Sequence, residues 1–412
     1  MTDALPPAAP HPRGLAAMLA ALSAVGPFSI DAYLPSMPEI GRVFRASPLL
    51  VQQTLTAYMA TFALMTLWHG AISDALGRRR VTLAVLAMFT LASAGCALAW
   101  NIESLLVFRA LQGMTAGAGM VVGRAIVRDV FEGAAAQRLM SQVTLVFAVA
   151  PAVAPVLGGW LHVWFGWRAV FGFVVLFTAV VWLVCWRRLP ETLPVERRQS
   201  LRPGFLLASY GRVLTTPPFL TLSFAVTLNF AAIFIYIVSA PVFLLRHLHL
   251  AETDFLWLFG PATTGMVTGA WLSGRLAGHI SRRQTVAWGY GIMVTAAAGN
   301  LLLNLLVPPA VPWSVLPLYV YFAGSALSMP SLTLLALDLF PEQRGLASSC
   351  QAFVQTAGNT LTTAVVAPLV WTTTVTLAAG EAAMLALGLA FFLVYLGAAR
   401  RIRVAGSHGE TM

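Results

Sequence analysis

The sequence predicts an all-α membrane protein of twelve transmembrane helices arranged in two six-helix bundles. Three observations lead there. Of 412 residues, 58% are hydrophobic and only 10% charged, with a mean hydropathy of +0.80. A soluble domain carries about 25% charged residues, and one this apolar would leave large greasy patches in water. Apolar runs of about 20 residues, the length needed to cross a hydrocarbon core of ~30 Å, recur along the whole chain. The third observation is a weak internal repeat whose two copies fall at equivalent places in the two halves.

The runs fall at residues 14–38, 49–72, 81–100, 103–123, 139–162, 168–187, 218–244, 254–274, 285–307, 313–338, 346–370 and 377–399. They are continuous, whereas strands of a membrane barrel are about 10 residues long and alternate polar with apolar. The first is too long for a cleaved signal peptide, whose apolar region is about 7–15 residues, and a second run follows at once. Between the sixth and seventh runs lies the polar stretch LPETLPVERRQSLRPG, Leu189 to Gly204, which reads as a linker. The expected organisation is residues 1–189 as the first half, 190–216 as linker and 217–412 as the second half. The repeat supports it: GAISDALGRRR (Gly70 to Arg80) and GRLAGHISRRQ (Gly274 to Gln284) align at a shift of 204 residues, matching Gly70 with Gly274, Arg78 with Arg282 and Arg79 with Arg283.

All 25 basic residues are arginine. Most fall before the first run, in the even-to-odd connections, in the central linker and at the end of the chain. Only Arg42, Arg45, Arg168 and Arg246 fall on the other side, and Arg109 lies within a run. The positive-inside rule then puts both termini in the cytoplasm. The net charge of +10 is accounted for by attraction to an anionic inner leaflet and needs no nucleic acid. The three cysteines, Cys96, Cys185 and Cys350, sit in or beside apolar runs, spaced for neither a metal site nor a disulfide framework. The seven histidines are scattered, with only His247 and His249 close together. No catalytic cluster, metal site, cofactor site or nucleotide-binding motif is expected.

Four segments resemble the major facilitator superfamily. Gly70 to Arg80 resembles its signature between helices two and three. Arg109-Ala-Leu-Gln112-Gly113 is similar to its helix-four motif. APAVAPVLGG, Ala150 to Gly159, is similar to the helix-five motif of drug antiporters, with Ala154 where glycine is usual. SIDAYLPSMP, Ser29 to Pro38, resembles the helix-one segment of the Bcr/CflA drug-resistance branch. The second-half loop departs from the signature, with Gly278 in place of the aspartate. The resemblance implies a proton-coupled antiporter of the inner membrane, working as a monomer by alternating access and exporting lipophilic small molecules without a cofactor. Its partners would be that substrate, protons and membrane lipids. An exporter or symporter of one metabolite, and a membrane-embedded enzyme, are the alternatives.

Residue chemistry gives these segments roles. A charge at the bilayer centre costs at least about 2.5–3.5 kcal/mol and is a functional hypothesis by default. Asp31, among Phe28, Ile30 and Tyr33, is expected to bind and release the coupling proton; a hydrated acid at the outer mouth is the plainer alternative. Arg109, counted as ~9 Å deep against ~10 Å for Asp31 at 1.5 Å per residue, is expected to act on it directly or through water; an arginine bonded to backbone carbonyls is the alternative. Asp31, Gln112, Asn229, Tyr236, Gln351, Gln355 and Asn359 are expected to line a central cavity, the last three sharing a helix face at i, i+4, i+8; interhelical hydrogen bonding would also use such residues. Gly70, Asp74, Gly77, Arg78 and Arg79 are expected to form a conformational latch on the inward-closed state; plain topology signalling is the alternative. In it Asp74 caps the next helix or pairs with an arginine, and Arg78 to Arg80 meet lipid headgroups. Ala154, Pro155, Gly158 and Gly159 are expected to make a tight, kinked seam on helix five, with generic helix packing as the alternative. Asp338, at the inner end of the tenth run, is the next acid to test should Asp31 not be the coupling site.

Overall fold

The structure, a computed structural model, describes residues 12–131, 133–198 and 203–409. Residues 1–11, with His11, and residues 199–202 of the expected linker, with Arg202, lie outside the described residues. Helix dominates, and among the described residues no strand forms beyond one isolated bridge, Ala277 to Ile280. The first half consists of α1 (Pro12–Asp31), α2 (Met37–Phe44), α3 (Pro48–Leu76), α4 (Arg78–Ala97), α5 (Ile102–Ala116), α6 (Ala118–Val130), α7 (Gly133–Phe165) and α8 (Trp167–Arg188). After α9 (Pro203–Leu214) come α10 (Pro217–Val238), α11 (Leu256–Leu276), α12 (Arg282–Leu306), α13 (Leu316–Leu337), α14 (Arg344–Leu361), α15 (Ala367–Val370) and α16 (Thr374–Gly409).

These helices make the twelve crossings of a multi-pass membrane protein. The first crossing is α1 with α2, the fourth α5 with α6, and the eleventh α14 with α15. Among the described residues nine crossings are long and apolar enough to span by that measure alone. The other three are α7, α11 and α14. The last two are helical but diluted by polar side chains: Thr263, Thr264, Thr268 and Ser273 on α11; Ser348, Ser349, Gln351, Gln355 and Asn359 on α14. The exposed Thr264 and Thr268 satisfy their hydroxyls within the helix, donating to Gly260 O and Thr264 O at 2.8 Å each.

Local chemistry sets the ends. Ser47 caps α3 by accepting from Leu50 N, and Asn101 with Ser104 makes a reciprocal capping box on α5. Ser281 and Gln284 do the same for α12. The expected continuous first span is in fact broken. Helix α1 stops at Asp31, and the chain turns through Ala32 and Tyr33 and a short 3-10 segment, Leu34–Ser36, before α2. Pro35 and Pro38 supply the cause, since neither can donate the backbone hydrogen bond that a continuous helix needs. The crossing therefore extends to Phe44, beyond the expected end at 38.

Small residues let helices touch. Gly113 of α5 lies against the carbonyl of Tyr58 on α3, and Thr61 Oγ1 donates to Ala110 O at 2.7 Å in the same seam. In each half the helices pack mainly on their own half-mates: α1 on α6, α7 and α8, and α10 on α13 and α16. Between halves, α3 packs on α14 and α7 on α11. The end of the molecule carrying Arg78 and Arg282 is its arginine-rich end. At the opposite end a cavity of about 650 Å³ lies between the halves, lined by Arg42, Gln52, Val238, Pro241, Glu252 and Trp371 among others.

Candidate functional site

The break after Asp31 places a carboxyl group at the end of a helix inside the first bundle. Asp31 is 6% exposed, and among the described residues its side chain has no hydrogen bond and no ion pair. Beside it Arg109, two turns into α5, is 0% exposed. Its Nη1 donates to Ser29 O at 3.0 Å and to Gln112 Oε1 at 2.6 Å. The guanidinium lies over the Tyr58 ring at 4.4 Å and the Tyr33 ring at 4.9 Å. Nε and Nη2 are buried without a hydrogen-bond partner. The tyrosines are fixed in turn: the Tyr58 hydroxyl pairs with Ser29 Oγ at 2.8 Å, and the Tyr33 hydroxyl with Thr54 Oγ1 at 2.7 Å.

Arg109 thus binds the chain on either side of Asp31 without forming an ion pair with it. Ser29, two residues before Asp31, and Tyr33, two after it, both engage the guanidinium. The guanidinium, which never loses its proton, is therefore held to the residues that flank Asp31 rather than to its carboxyl. The two orphan donors are costly in a dry bundle, and they offer hydrogen-bond capacity to any acceptor that enters. Gln112 is committed elsewhere: its Nε2 donates to Ser93 Oγ at 2.7 Å, so it braces Arg109 against α4.

The loop between α3 and α4 forms a second constellation. Gly77 has φ of 97°, a conformation that suits glycine, and having no side chain it cannot itself cap α4. Of the two roles open to Asp74, the structure shows pairing: Arg78 Nη1 sits 2.5 Å from Asp74 Oδ1 and its Nε 3.0 Å from Asp129 Oδ2 at the end of α6. Ser73 Oγ accepts from Arg78 at 2.6 Å, and Glu191 Oε1 accepts from its backbone N–H at 2.8 Å. Arg79 donates to the carbonyls of Leu189 and Trp186, each at 2.8 Å. The expectation that Arg78 meets lipid is corrected: it is buried, because two carboxylates offer it more than a headgroup could, and only Arg80 of the three is exposed. Gly70 faces Val121 of α6 with room to spare.

On α7 the backbones come closest at Gly158, which lies against the carbonyl of Ala32, one residue past Asp31. Gly159 lies against the backbone of Glu252, in the other half. Ala154 is fully buried beside Ala32 and Val170, and Pro151 and Pro155 sit inside the helix without ending it. At the same end His162 of α7 has Nδ1 3.1 Å from Glu39 Oε2 on α2 and Nε2 3.1 Å from Glu252 Oε2.

The second-half residues turn largely into their own bundle. Asn229 donates to the Tyr290 hydroxyl at 2.9 Å, and Tyr236 accepts from Asn300 at 2.8 Å. Gln351 reaches Thr333 at 3.4 Å, Gln355 is half-buried, and Asn359 is buried with Oδ1 unpartnered, all on α14 where it meets α3. None of the seven expected cavity residues lines the cavity at the opposite end except through its neighbours. Asp338 is not a lone acid: it pairs with Arg282 and, at 2.9 Å, with Arg344 on the arginine-rich end. The repeat is visible here in space, since Arg78 meets an acid at the end of the fourth crossing and Arg282 one at the end of the tenth. The buried acid that sequence reasoning passed over is Glu381 on α16, 0% exposed and bonded to Asn300. A glutamate inside the run 377–399 was the signal that could have found it.

Known proteins share the family and the fold of this chain. The family model of the Major Facilitator Superfamily matches residues 18–363. The chain is 32% identical over 337 residues to an uncharacterised MFS-type transporter, YdgK, of Bacillus subtilis, covering 81% of this chain and 84% of that one. It is 28% identical to multidrug resistance protein D of Escherichia coli, over 83% and 85% of the two chains. It is 25% identical to a bicyclomycin resistance protein homologue of Haemophilus influenzae, over 85% and 88%. Among solved structures, a bacterial homologue of the human lysosomal transporter Spinster, inward-facing and occupied, superposes with a TM-score of 0.72 at 16% identity, covering 93% and 96%. The human organic anion transporter MFSD10 does so with 0.68 at 18% identity, covering 95% and 100%. With its repeated arginine loops, its paired bundles and these relatives in agreement, the chain belongs to the major facilitator superfamily, as a transporter of small molecules.

Proposed function

We propose that this transporter is a proton-coupled exporter of lipophilic small molecules, drugs among them. It works as a monomer, by alternating access, in a bacterial-type plasma membrane. The arginine-rich end and both termini face the cytoplasm, where the positive-inside rule puts them, and the halves 1–189 and 217–412 are joined by the linker 190–216. The names of relatives support the substrate class: multidrug, bicyclomycin and chloramphenicol resistance proteins.

The observation that carries the proton is Asp31, a buried carboxyl at a helix break with no counter-ion of its own. Ionised, it is costly in that setting, so it gains either from a proton or from a cationic substrate. Protonation from outside and deprotonation towards the cytoplasm, alternating with substrate in the reverse direction, gives antiport. Arg109 remains charged throughout and holds Ser29 and the two tyrosines in register around the acid. The paired Arg78 loop restrains the cytoplasmic ends of α3, α4 and α6, and exposed Arg80 meets anionic lipid.

In everted membrane vesicles with an imposed pH gradient, Asp31→Asn is expected to insert normally and to lose gradient-driven transport of compounds that the wild type exports. Full gradient-driven export by this variant would remove Asp31 from the coupling role.

A further inference from the structure

The second half contains an acid that this mechanism does not use. Glu381 lies in the second turn of α16 and is 0% exposed. Its Oε2 accepts from Asn300 Nδ2 of α12 at 2.6 Å. The same Nδ2 reaches the Tyr236 hydroxyl of α10 at 2.8 Å, and Asn304 Nδ2 donates to Asn300 Oδ1 at 3.0 Å. Oε1 is buried with no hydrogen-bond partner. The titratable groups facing it from the packed helices are Tyr236 of α10 and Tyr321 of α13, both phenols. From α12 come only the amides of Asn300 and Asn304; its Tyr290 bonds further along α16, to Gly388 O at 2.9 Å. Among the described residues no arginine or histidine pairs with Glu381.

A carboxylate with one hydrogen bond and no cation, at membrane depth, is poorly stabilised, whereas the neutral acid supplies its own donor on the bare oxygen. The network also has a route to change. Tyr236 is two residues from Val238, whose carbonyl accepts from Gln52 of the other half at 3.5 Å. Val238 and Pro241 line the cavity between the halves. The Gln52 contact thus ties the end of α10, and through it the Tyr236–Asn300–Glu381 chain, to the other half.

We propose that Glu381 is a second proton-binding site, built in the opposite half from Asp31 and reached from the outer cavity through the end of α10. Its carboxylate takes up one proton and releases one per cycle, with no other bond made or broken. The transporter then carries two protons per cycle, one in each half. This rests on the antiport reading, but its test is independent of transport.

Infrared difference spectra of the purified protein in lipid, between about pH 5 and about pH 9, read the carbonyl stretch of protonated carboxyls directly. The wild type is expected to show two buried-carboxyl bands. Asp31→Asn removes one and Glu381→Gln the other, with folding checked by thermal melting. Glu381→Asp, which keeps an acid, retains a band at a shifted frequency and serves if the glutamine variant fails to fold. A Glu381→Gln or Glu381→Asp spectrum that superimposes on the wild type overturns the second site. An unchanged Asp31→Asn spectrum instead overturns the coupling role of Asp31 and leaves Glu381 standing.

Discussion

Arg109 holds a full charge inside a helix bundle with one nitrogen bonded and two bare. Its compensation is the two tyrosine faces, each stack worth about 0.5–2 kcal/mol, and the Ser29 carbonyl. The planar fork matters as much as the charge. Arg109→Lys is therefore expected to lower transport on the order of tenfold, and Arg109→Ala to abolish it. Tyr58→Phe, which keeps the ring and loses only the Ser29 contact, is expected to cost about threefold or less. Initial rates in everted vesicles, normalised to protein, check the series; equal rates for Arg109→Lys and wild type would defeat it. Both charges were legible in the sequence because each interrupts an apolar run. That Arg109 would bind the backbone beside Asp31 rather than its carboxyl was not. Depth can be counted along a helix, but the direction a side chain takes depends on which helix packs against it and how it is turned.

Helix α7 is the element that closes the first bundle. Its Gly158 accepts the backbone of Ala32 where no side chain fits, just beyond the Asp31 break. A larger residue must push α7 away from α1 or unseat the break itself. Gly158→Leu is expected to destabilise the protein by about 1–3 kcal/mol, the usual range for overpacking, and to cut transport with it. Gly172→Leu on α8, where nothing lies within 4 Å of an added Cβ, is the matched control. Thermal melting in detergent of both variants tests this; equal melting temperatures would count against a packing role. The small-residue spacing of α7 announced close packing in the sequence, but which backbone it would meet was decided by the break in α1, and that came from Pro35 and Pro38.

For the molecule as a whole, the two halves are clasped at the end opposite the arginines. His162 and Glu39 belong to the first half and Glu252 to the second. The contact that crosses between the halves is His162 Nε2 with Glu252 Oε2, 3.1 Å apart. His162→Ala removes it and shifts the balance towards a state open at that end. A contact to a partly exposed carboxylate is worth about 1 kcal/mol or less, so the population of the open state should rise up to about fivefold. Labelling of a cysteine placed at buried Val51 by an impermeant maleimide reads that population, since Cys96, Cys185 and Cys350 are all buried. Unchanged labelling would show that the clasp does not hold the halves.

The sequence by itself determined the all-helical membrane fold, the number of crossings, the repeat and the arginine-rich end. These follow from local quantities: the apolar length needed to cross a bilayer and the placement of charge at helix ends. It also exposed Asp31, Arg109 and the Gly70 to Arg80 loop, because polar residues are conspicuous in an apolar chain. Tertiary structure alone decided the partnerships. Arg78 with Asp129, Asn300 with Glu381 and His162 with Glu252 join residues 51, 81 and 90 positions apart. Such pairs depend on which helix faces meet, and hydropathy, which registers only how apolar a segment is, carries no information about that.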